Sequence, residues 1–517
     1  MKRRVAIICF TIAGMVAAIL AGPVSARTSD PTVVRTDKGW VQGAATSSGL
    51  VFRGIPFAAP PTGRSRWRPP GPVSEWSGIR PALRSGGACA QNASDILAIP
   101  KITNEDCLYL DVHTPPAEVG GGRRPVVVWL HGGGFVSGSG SAYDAKRLAA
   151  KGNVVVTVNY RLGAFGFLAH PALTGEDRRG SGNYGLMDQQ AALGWVRANA
   201  AAFGGDPGNV TIAGQSAGSG SVCAHLMSPA SQGLFQRAVL QSGPCTMLSR
   251  SLEEAETAGT DLAHTLGCDT AAPECLRAVP ATAVLDASRS DGVAGELLGG
   301  LSFAPVSRSP LLPRPTEEAL REGAFAKVPT MIGTTRDEAT VFVAILMDQL
   351  TGRLRLDTPA VRSRYSGDPR LVAAAVLTDY LFACPSRASA RALARHNPVH
   401  MYEVAERDMP NVFAFTPDFP LGAYHGAELP LLFDLPGRPI VLTPAQRQLS
   451  DRMLGYWSRF AATGDPNGPG LPNWPAYSSA QLQSLAAAAV GPIRDAAFER
   501  THHCRFWSSV GSITRPS

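Results

Sequence analysis

Four short stretches of this 517-residue chain hold residue types that together can attack a carbonyl carbon. "GQSAG", Gly214 to Gly218, sets a serine among small residues, and "HGGGF", His131 to Phe135, contains three consecutive glycines. "RDE" places two carboxylates, Asp337 and Glu338, side by side, and "YHGAE" carries His425 with a glycine directly after it. A serine hydroxyl is a weak nucleophile until a base takes its proton, and its attack creates an oxyanion that needs hydrogen-bond donors. Ser216 is the candidate nucleophile, a downstream histidine the candidate base, and a carboxylate the group that orients it. The backbone N–H groups of Gly133, Gly134 and Ala217 are the candidate oxyanion donors, because glycines let a backbone turn its donors toward one point.

Residue types alone leave choices open. In a chain with 54 glycines the pentapeptide is a weak signal by itself. Seven histidines follow Ser216, namely His225, His264, His396, His400, His425, His502 and His503, and position does not select among them. Asp337 and Glu338 are equally well placed to orient a base.

The elements that must position these groups are written in the same sequence. From Pro125 onward, short β-branched runs alternate with longer helical patterns, which predicts an α/β fold with a mostly parallel sheet covered by helices. The clearest strands are "PVVVWL", "NVVVTVNY", "NVTIAG", "RAVLQSG" and "VPTMIGTT". They are apolar throughout, as strands buried on both faces must be. "HGGGF" follows the first of them, "GQSAG" the third, and "RDE" the last. A serine at a sharp strand-to-helix turn is thereby expected at position 216, with the helix N-terminus behind it favouring negative charge. "NYGLMDQQAALGWVRANAAAFGG" predicts a helix ending at a glycine pair. "GVAGELLGGLSFAPVSRSPLLPRP" reads as a loop that can lie over a pocket. No internal repeat or linker interrupts the run, so residues 27–517 are expected to form one catalytic domain.

At the N-terminus, a basic start at Lys2, Arg3 and Arg4, an apolar run to Leu20 and small residues at Val24, Ser25 and Ala26 predict a secretory signal over residues 1–26. No later segment reads as apolar enough to cross a bilayer, so no integral membrane association is expected after cleavage. Without residues 1–26 there remain 45 basic and 41 acidic residues, a net charge of +4. That balance is too mild to argue for nucleic acid. Eight of the nine cysteines would remain, an even number in an export context where disulfides persist. No Cys/His cluster has ligand spacing and no cofactor fingerprint appears, so neither a metal nor an organic cofactor is expected.

Taken together, these motifs resemble the type-B carboxylesterase family of α/β-hydrolases, which includes cholinesterases, liver-type carboxylesterases, bile-salt-activated lipases and bacterial para-nitrobenzyl esterases. The likeness runs from "FRGIPFAAPPTGRSRWRPP" through "NEDCLYLDVHTP", "VNYRLGAFGFL" and "RDEATVF" to "YWSRFAATGDPNGPGLPNWPAY". It implies an α/β-hydrolase fold with loop and helical insertions over the active site, and a small-molecule ester as substrate. It selects Glu338 over Asp337 and His425 over the other histidines, with Gly133, Gly134 and Ala217 as oxyanion donors. It also implies disulfides pairing Cys89 with Cys107, Cys268 with Cys275, and Cys384 with Cys504. Cys223 and Cys245 match no bridge of the family and read equally as a pair or as two buried thiols.

Departures from the family pattern bear on substrate. Cholinesterase-like members carry a carboxylate before the nucleophile and a tryptophan in the first disulfide loop, both suited to a quaternary ammonium. Here the first is Gln215, and the stretch between Cys89 and Cys107 has no aromatic residue. A choline ester is therefore not expected. "LLGGL" before "SFAPV" implies room for a larger acyl group. "VSRSPLLPRP" replaces the family's "VIDG", and Ala339 replaces the usual glycine after the acid. The resulting expectation is a secreted carboxylesterase. A lipase acting on acylglycerols is the nearest alternative, and a peptidase or a non-catalytic binding protein on the same scaffold are the rivals.

Overall fold

The computed structural model describes residues 30–94, 99–116, 122–247, 250–268, 273–289, 302–351, 358–438 and 440–510. The predicted signal segment and "LLGGL" lie outside the described residues. Near the N-terminus the strands β1 (Val33–Arg35), β2 (Trp40–Gln42), β3 (Ala44–Thr46), β4 (Gly49–Pro56), β5 (Ile79–Pro81) and β6 (Tyr109–His113) follow one another. Then come β7 (Arg124–Leu130), β8 (Val154–Val158), β9 (Gly205–Gln215), β10 (Arg237–Gln241) and β11 (Thr330–Thr335). The last three are β12 (Val399–Val404), β13 (Gln481–Leu485) and β14 (Val490–Arg494).

Eleven of these strands form one sheet in the order β14-β13-β12-β11-β10-β9-β7-β8-β6-β4-β3, and β1, β2 and β5 form a small separate one. The neighbours from β8 across to β13 pair in parallel, while the pairs at both edges are antiparallel. This is the mostly parallel α/β-hydrolase sheet, and the five apolar runs are its middle.

Why those runs are apolar without alternation is visible in where their side chains go. Val126, Val128, Leu130, Val154, Val156, Val158, Ile212, Ala238, Leu240 and Ile332 enter one buried core. Val127, Trp129, Val155, Ala213, Val239 and Met331, the residues between them, enter a second core on the opposite face. Successive side chains of a strand point to opposite faces, so a strand with a core on each side needs an apolar residue at every position.

The first core is closed by the helices Tyr184–Asn199 and Ala217–Met227, which contribute Leu186, Leu193, Val196, Val222 and Leu226. The predicted helix after "NY" runs to Asn199 and continues as a 3-10 turn to Phe203, where Gly204 at φ 78° stops it. The second core is closed by the helix Pro444–Thr463, whose Thr443 and Gln446 form a reciprocal N-terminal cap. Its Met453, Leu454, Trp457 and Phe460 are buried.

One expectation needs correction. Residues 369–393 form a helical run long and apolar enough to cross a bilayer. The run is instead built into this fold. Ala373, Val376, Leu377 and Phe382 are buried, Asp379 bonds His502, Arg387 pairs with Asp495, and Cys384 is bridged to Cys504. Its composition matches a membrane span because a core helix buries the same kinds of side chain.

Among the described residues there are four disulfides. Cys89–Cys107, Cys268–Cys275 and Cys384–Cys504 form as the resemblance implies, and Cys223 is bonded to Cys245. The described part of the long loop, residues 302–315, has no helix or strand. It is fastened by Asn183, whose side chain bonds Val306 on both sides and Ser309.

Candidate active site

The end of β9 turns into the helix Ala217–Met227 at Ser216, whose backbone sits at φ 57°, ψ −123°. That conformation is costly for a residue with a side chain, and it persists only where surroundings enforce it. They do so here. The Ser216 N–H donates to Gln241 O at 2.8 Å, and Ser219 Oγ donates to Gly243 O at 2.6 Å, tying the turn to the end of β10. A Cβ at Gly214 or Gly218 would collide with the backbone across the turn or with Leu130. Every residue from Val210 to Ser228 is buried except Ser216, so the turn presents one side chain outward.

The glycine loop after β7 lies against this turn. A Cβ on Gly132 would stand 3.1 Å from Ser216 Cβ. Gly133 adopts φ 112°, where its missing Cβ would strike the Ser137 carbonyl. The loop closes on itself through Val136 and Ser137 N–H donating to Gly133 O at 3.1 and 3.0 Å. Ala217 opens the helix, so its N–H has no partner within it. His131 faces inward, its ring stacked on Tyr160 with centroids 4.4 Å apart and its Nδ1 2.8 Å from Gly132 O. Burial pushes its pKa down to about 4, so the loop is held by a neutral imidazole.

His425 and Glu338 meet across the top of the sheet. His425 Nδ1–H donates to Glu338 Oε2 at 2.6 Å, and the other carboxylate oxygen accepts from Thr334 Oγ1 at 2.6 Å and Thr335 N at 2.7 Å. Burial raises the Glu338 pKa, but attraction to the His425 ring, its hydrogen bond and those of Thr334 and Thr335 outweigh it and leave the group below its usual range. An ionised carboxylate only accepts, so the proton between them belongs to Nδ1. His425 Nε2 is the ring's remaining acceptor, and Gln215 Nε2 donates to it at 3.1 Å. Phe342 and Phe382 flank the imidazole, with centroids 5.1 and 5.2 Å away.

Asp337, the competing acid, points elsewhere. It is paired with Arg407 and accepts the Ala423 N–H at 2.9 Å. The other histidines are likewise occupied or distant in role. His225 is buried between Gln189 Oε1 and Ser231 Oγ, and burial holds its pKa at about 3. His400 lies on β12, and His502 is held between Asp379 and Glu403. His264 and His396 are exposed, and His503 packs on Tyr365. Of the sequence candidates the fold bonds Glu338 to His425, lays the glycine loop against Ser216 through Gly132, and links that turn to His425 through Gln215.

Sequence reasoning missed several groups in this neighbourhood. Thr334 has no local signal beyond its place at a strand end. Glu428, three residues after His425, is fully buried, accepts weakly from Gln241 Nε2 at 3.4 Å, and has no partner for Oε2 among the described residues. Burial, followed by repulsion from Glu338, pushes its pKa up to about 7. Among the described residues no group of three or more His, Cys, Asp or Glu could hold a metal ion.

A family model described as the carboxylesterase family matches residues 30–366 and 362–507. The chain is 37% identical over 479 residues to a para-nitrobenzyl esterase of Bacillus subtilis (strain 168), a match that covers 88% of this chain and 94% of that one. It is 34% identical over 505 residues to a cocaine esterase of Homo sapiens, covering 89% and 87% of the two chains. A solved structure titled PNB esterase superposes with a TM-score of 0.76 at 32% identity, covering 92% of this chain and all of that one. With that likeness along nearly its whole described length, laid over an α/β-hydrolase sheet, the chain belongs to the carboxylesterase family and is a carboxylic ester hydrolase.

Proposed function

We propose that this protein is a secreted serine esterase, one catalytic domain over residues 27–517, that works through an acyl-enzyme on neutral esters with bulky or medium-chain groups. The observation that carries the mechanism is the aligned pair Glu338–His425 beside an outward-facing Ser216 in a strained turn. His425 Nε2 takes the Ser216 proton as Oγ attacks the ester carbonyl carbon. The N–H groups of Gly133, Gly134 and Ala217 receive the oxyanion, and the alcohol departs with the proton from His425. Water then repeats the two transfers and releases the acid. Glu338 fixes the tautomer and stabilises the imidazolium that forms.

Four disulfides support export, since such bonds persist in oxidising compartments. The neutral Gln215 in place of a carboxylate, and a first disulfide loop without an aromatic residue, argue against choline esters. The names of the relatives, a para-nitrobenzyl and a cocaine esterase, support bulky ester groups.

Two measurements test this reading. Across p-nitrophenyl esters from acetyl to palmitoyl, kcat/KM is expected to peak between butanoyl and octanoyl, with a choline ester about a hundredfold slower. A maximum at palmitoyl would make the enzyme a lipase, and comparable choline ester turnover would overturn the substrate reading. Gly133→Ala places a Cβ against the Ser137 carbonyl and turns a donor away. The expected result is a fall in kcat of about 10²- to 10³-fold. An unchanged kcat would remove Gly133 from the oxyanion site.

A further inference from the structure

The Gln215 side chain is 4% exposed and lies between the glycine loop and the base. Its Oε1 stands where a Cβ on Gly132 would come within 2.8 Å, and its Nε2 donates to His425 Nε2 at 3.1 Å. That nitrogen has a single in-plane lone pair, the one that must receive the Ser216 proton. Among the described residues, the hydrogen bond to Nε2 comes from Gln215, and Ser216 Oγ makes none to it.

We infer that Gln215 is a further residue of the reaction: its uncharged amide occupies His425 Nε2 between turnovers and holds the ring as a neutral proton acceptor until Ser216 Oγ–H takes that place. This deepens the proposed function and rests on Ser216 and His425 acting as nucleophile and base. The physical reason lies in donor types. An amide N–H bonds to an unprotonated Nε2, so the contact favours the form of the base that the first step requires. A carboxylate at the same point only accepts, bonds to a protonated Nε2 instead, and favours the imidazolium. A thioether offers no N–H and no charge.

Among the described residues the charged groups facing His425 are few. Glu338 holds Nδ1, Glu428 acts on it electrostatically from the following turn, and Asp337 is paired with Arg407. Phe342 and Phe382 lie against the ring, with centroids 5.1 and 5.2 Å away. A charge introduced at position 215 therefore acts on Nε2 at short range, with apolar walls around it.

The test compares the pH dependence of kcat/KM for wild type, Gln215→Glu and Gln215→Met on p-nitrophenyl butanoate, a neutral substrate, followed by pH-stat. Competent sites are counted by the p-nitrophenol burst so that partly folded protein does not enter the rates. Gln215→Glu is expected to move the acid limb up by about 1 pH unit, so that activity on the acid side falls about tenfold and recovers at alkaline pH. Gln215→Met, which removes the N–H without adding a charge, is expected to move the limb up by a smaller amount, about 0.5 pH unit. Coincident limbs for wild type and Gln215→Glu would overturn the inference, as would a Gln215→Met limb that coincides with wild type. Activity surviving in Ser216→Ala would instead overturn the underlying reading, so the two failures are distinct.

Discussion

Ser216→Ala is expected to lower kcat by roughly 10⁴- to 10⁶-fold, with the melting temperature nearly unchanged. The fall is large because the hydroxyls of Ser219 and Ser137 are engaged elsewhere. Ser219 Oγ is committed to Gly243 O at 2.6 Å, and Ser137 Oγ to Gly133 O at 3.1 Å. Both belong to residues that hold the site's backbone in place. Stability is spared because alanine keeps the Cβ and therefore the same strained φ, and because the hydrogen bonds that enforce the turn come from the Ser216 N–H and from Ser219. The residual rate would come from the glycine-loop donors and substrate binding. Steady-state kinetics on a p-nitrophenyl ester, with a thermal melt of both proteins, provides the check.

The second large effect separates the two adjacent acids. Glu338→Gln is expected to reduce kcat by about 10³- to 10⁴-fold. An amide can present its NH₂ to Nδ1, which then becomes an acceptor and sends the ring proton to Nε2, the atom that must be free. The burial that makes Glu338 effective also leaves no water to compensate, since the side chain is 0% exposed. Asp337→Asn should cost far less, about 10-fold at most, because the Asp337 carboxylate is engaged by Arg407 and the Ala423 N–H and not by His425. Comparable losses in both variants would show that the loop, and not the carboxylate on Nδ1, carries the effect.

Why Glu338 and not Asp337 becomes the partner illustrates the limits of residue types. Both follow β11, and their side chains leave the chain in different directions. The one that points back toward Thr334 and Thr335 finds donors and the imidazole, while its neighbour meets Arg407. Composition cannot specify that direction, and the family resemblance could. The five central strands were legible because two-sided burial demands unbroken apolar runs. Other strands were not. β1, β2, β3 and β5 have three residues each, and β12, "VHMYEV", contains His400 and Glu403, polar groups that the fold buries.

Contacts between distant parts of the chain were equally hidden. Gln215 and His425 are 210 residues apart, and Cys223 finds Cys245 only because the helix after Ser216 packs beside the end of β10. Residues 369–393 escaped notice as a potential span for a related reason. Their apolar character is interrupted by Arg370, Asp379, Arg387 and Arg391, of which Asp379 and Arg387 find partners on the C-terminal segment. Glu428 gave no sign in the sequence that its carboxyl would be buried close to Glu338.

The central claim is that ester cleavage passes through a covalent bond to Ser216. The direct measurement is peptide mass spectrometry of wild type and Ser216→Ala, acid-quenched during turnover of a slowly deacylated p-nitrophenyl ester. The account predicts that wild type carries the acyl mass on Ser216 and that the variant carries none. An acyl group found on another residue, or an equal adduct in Ser216→Ala, would contradict it.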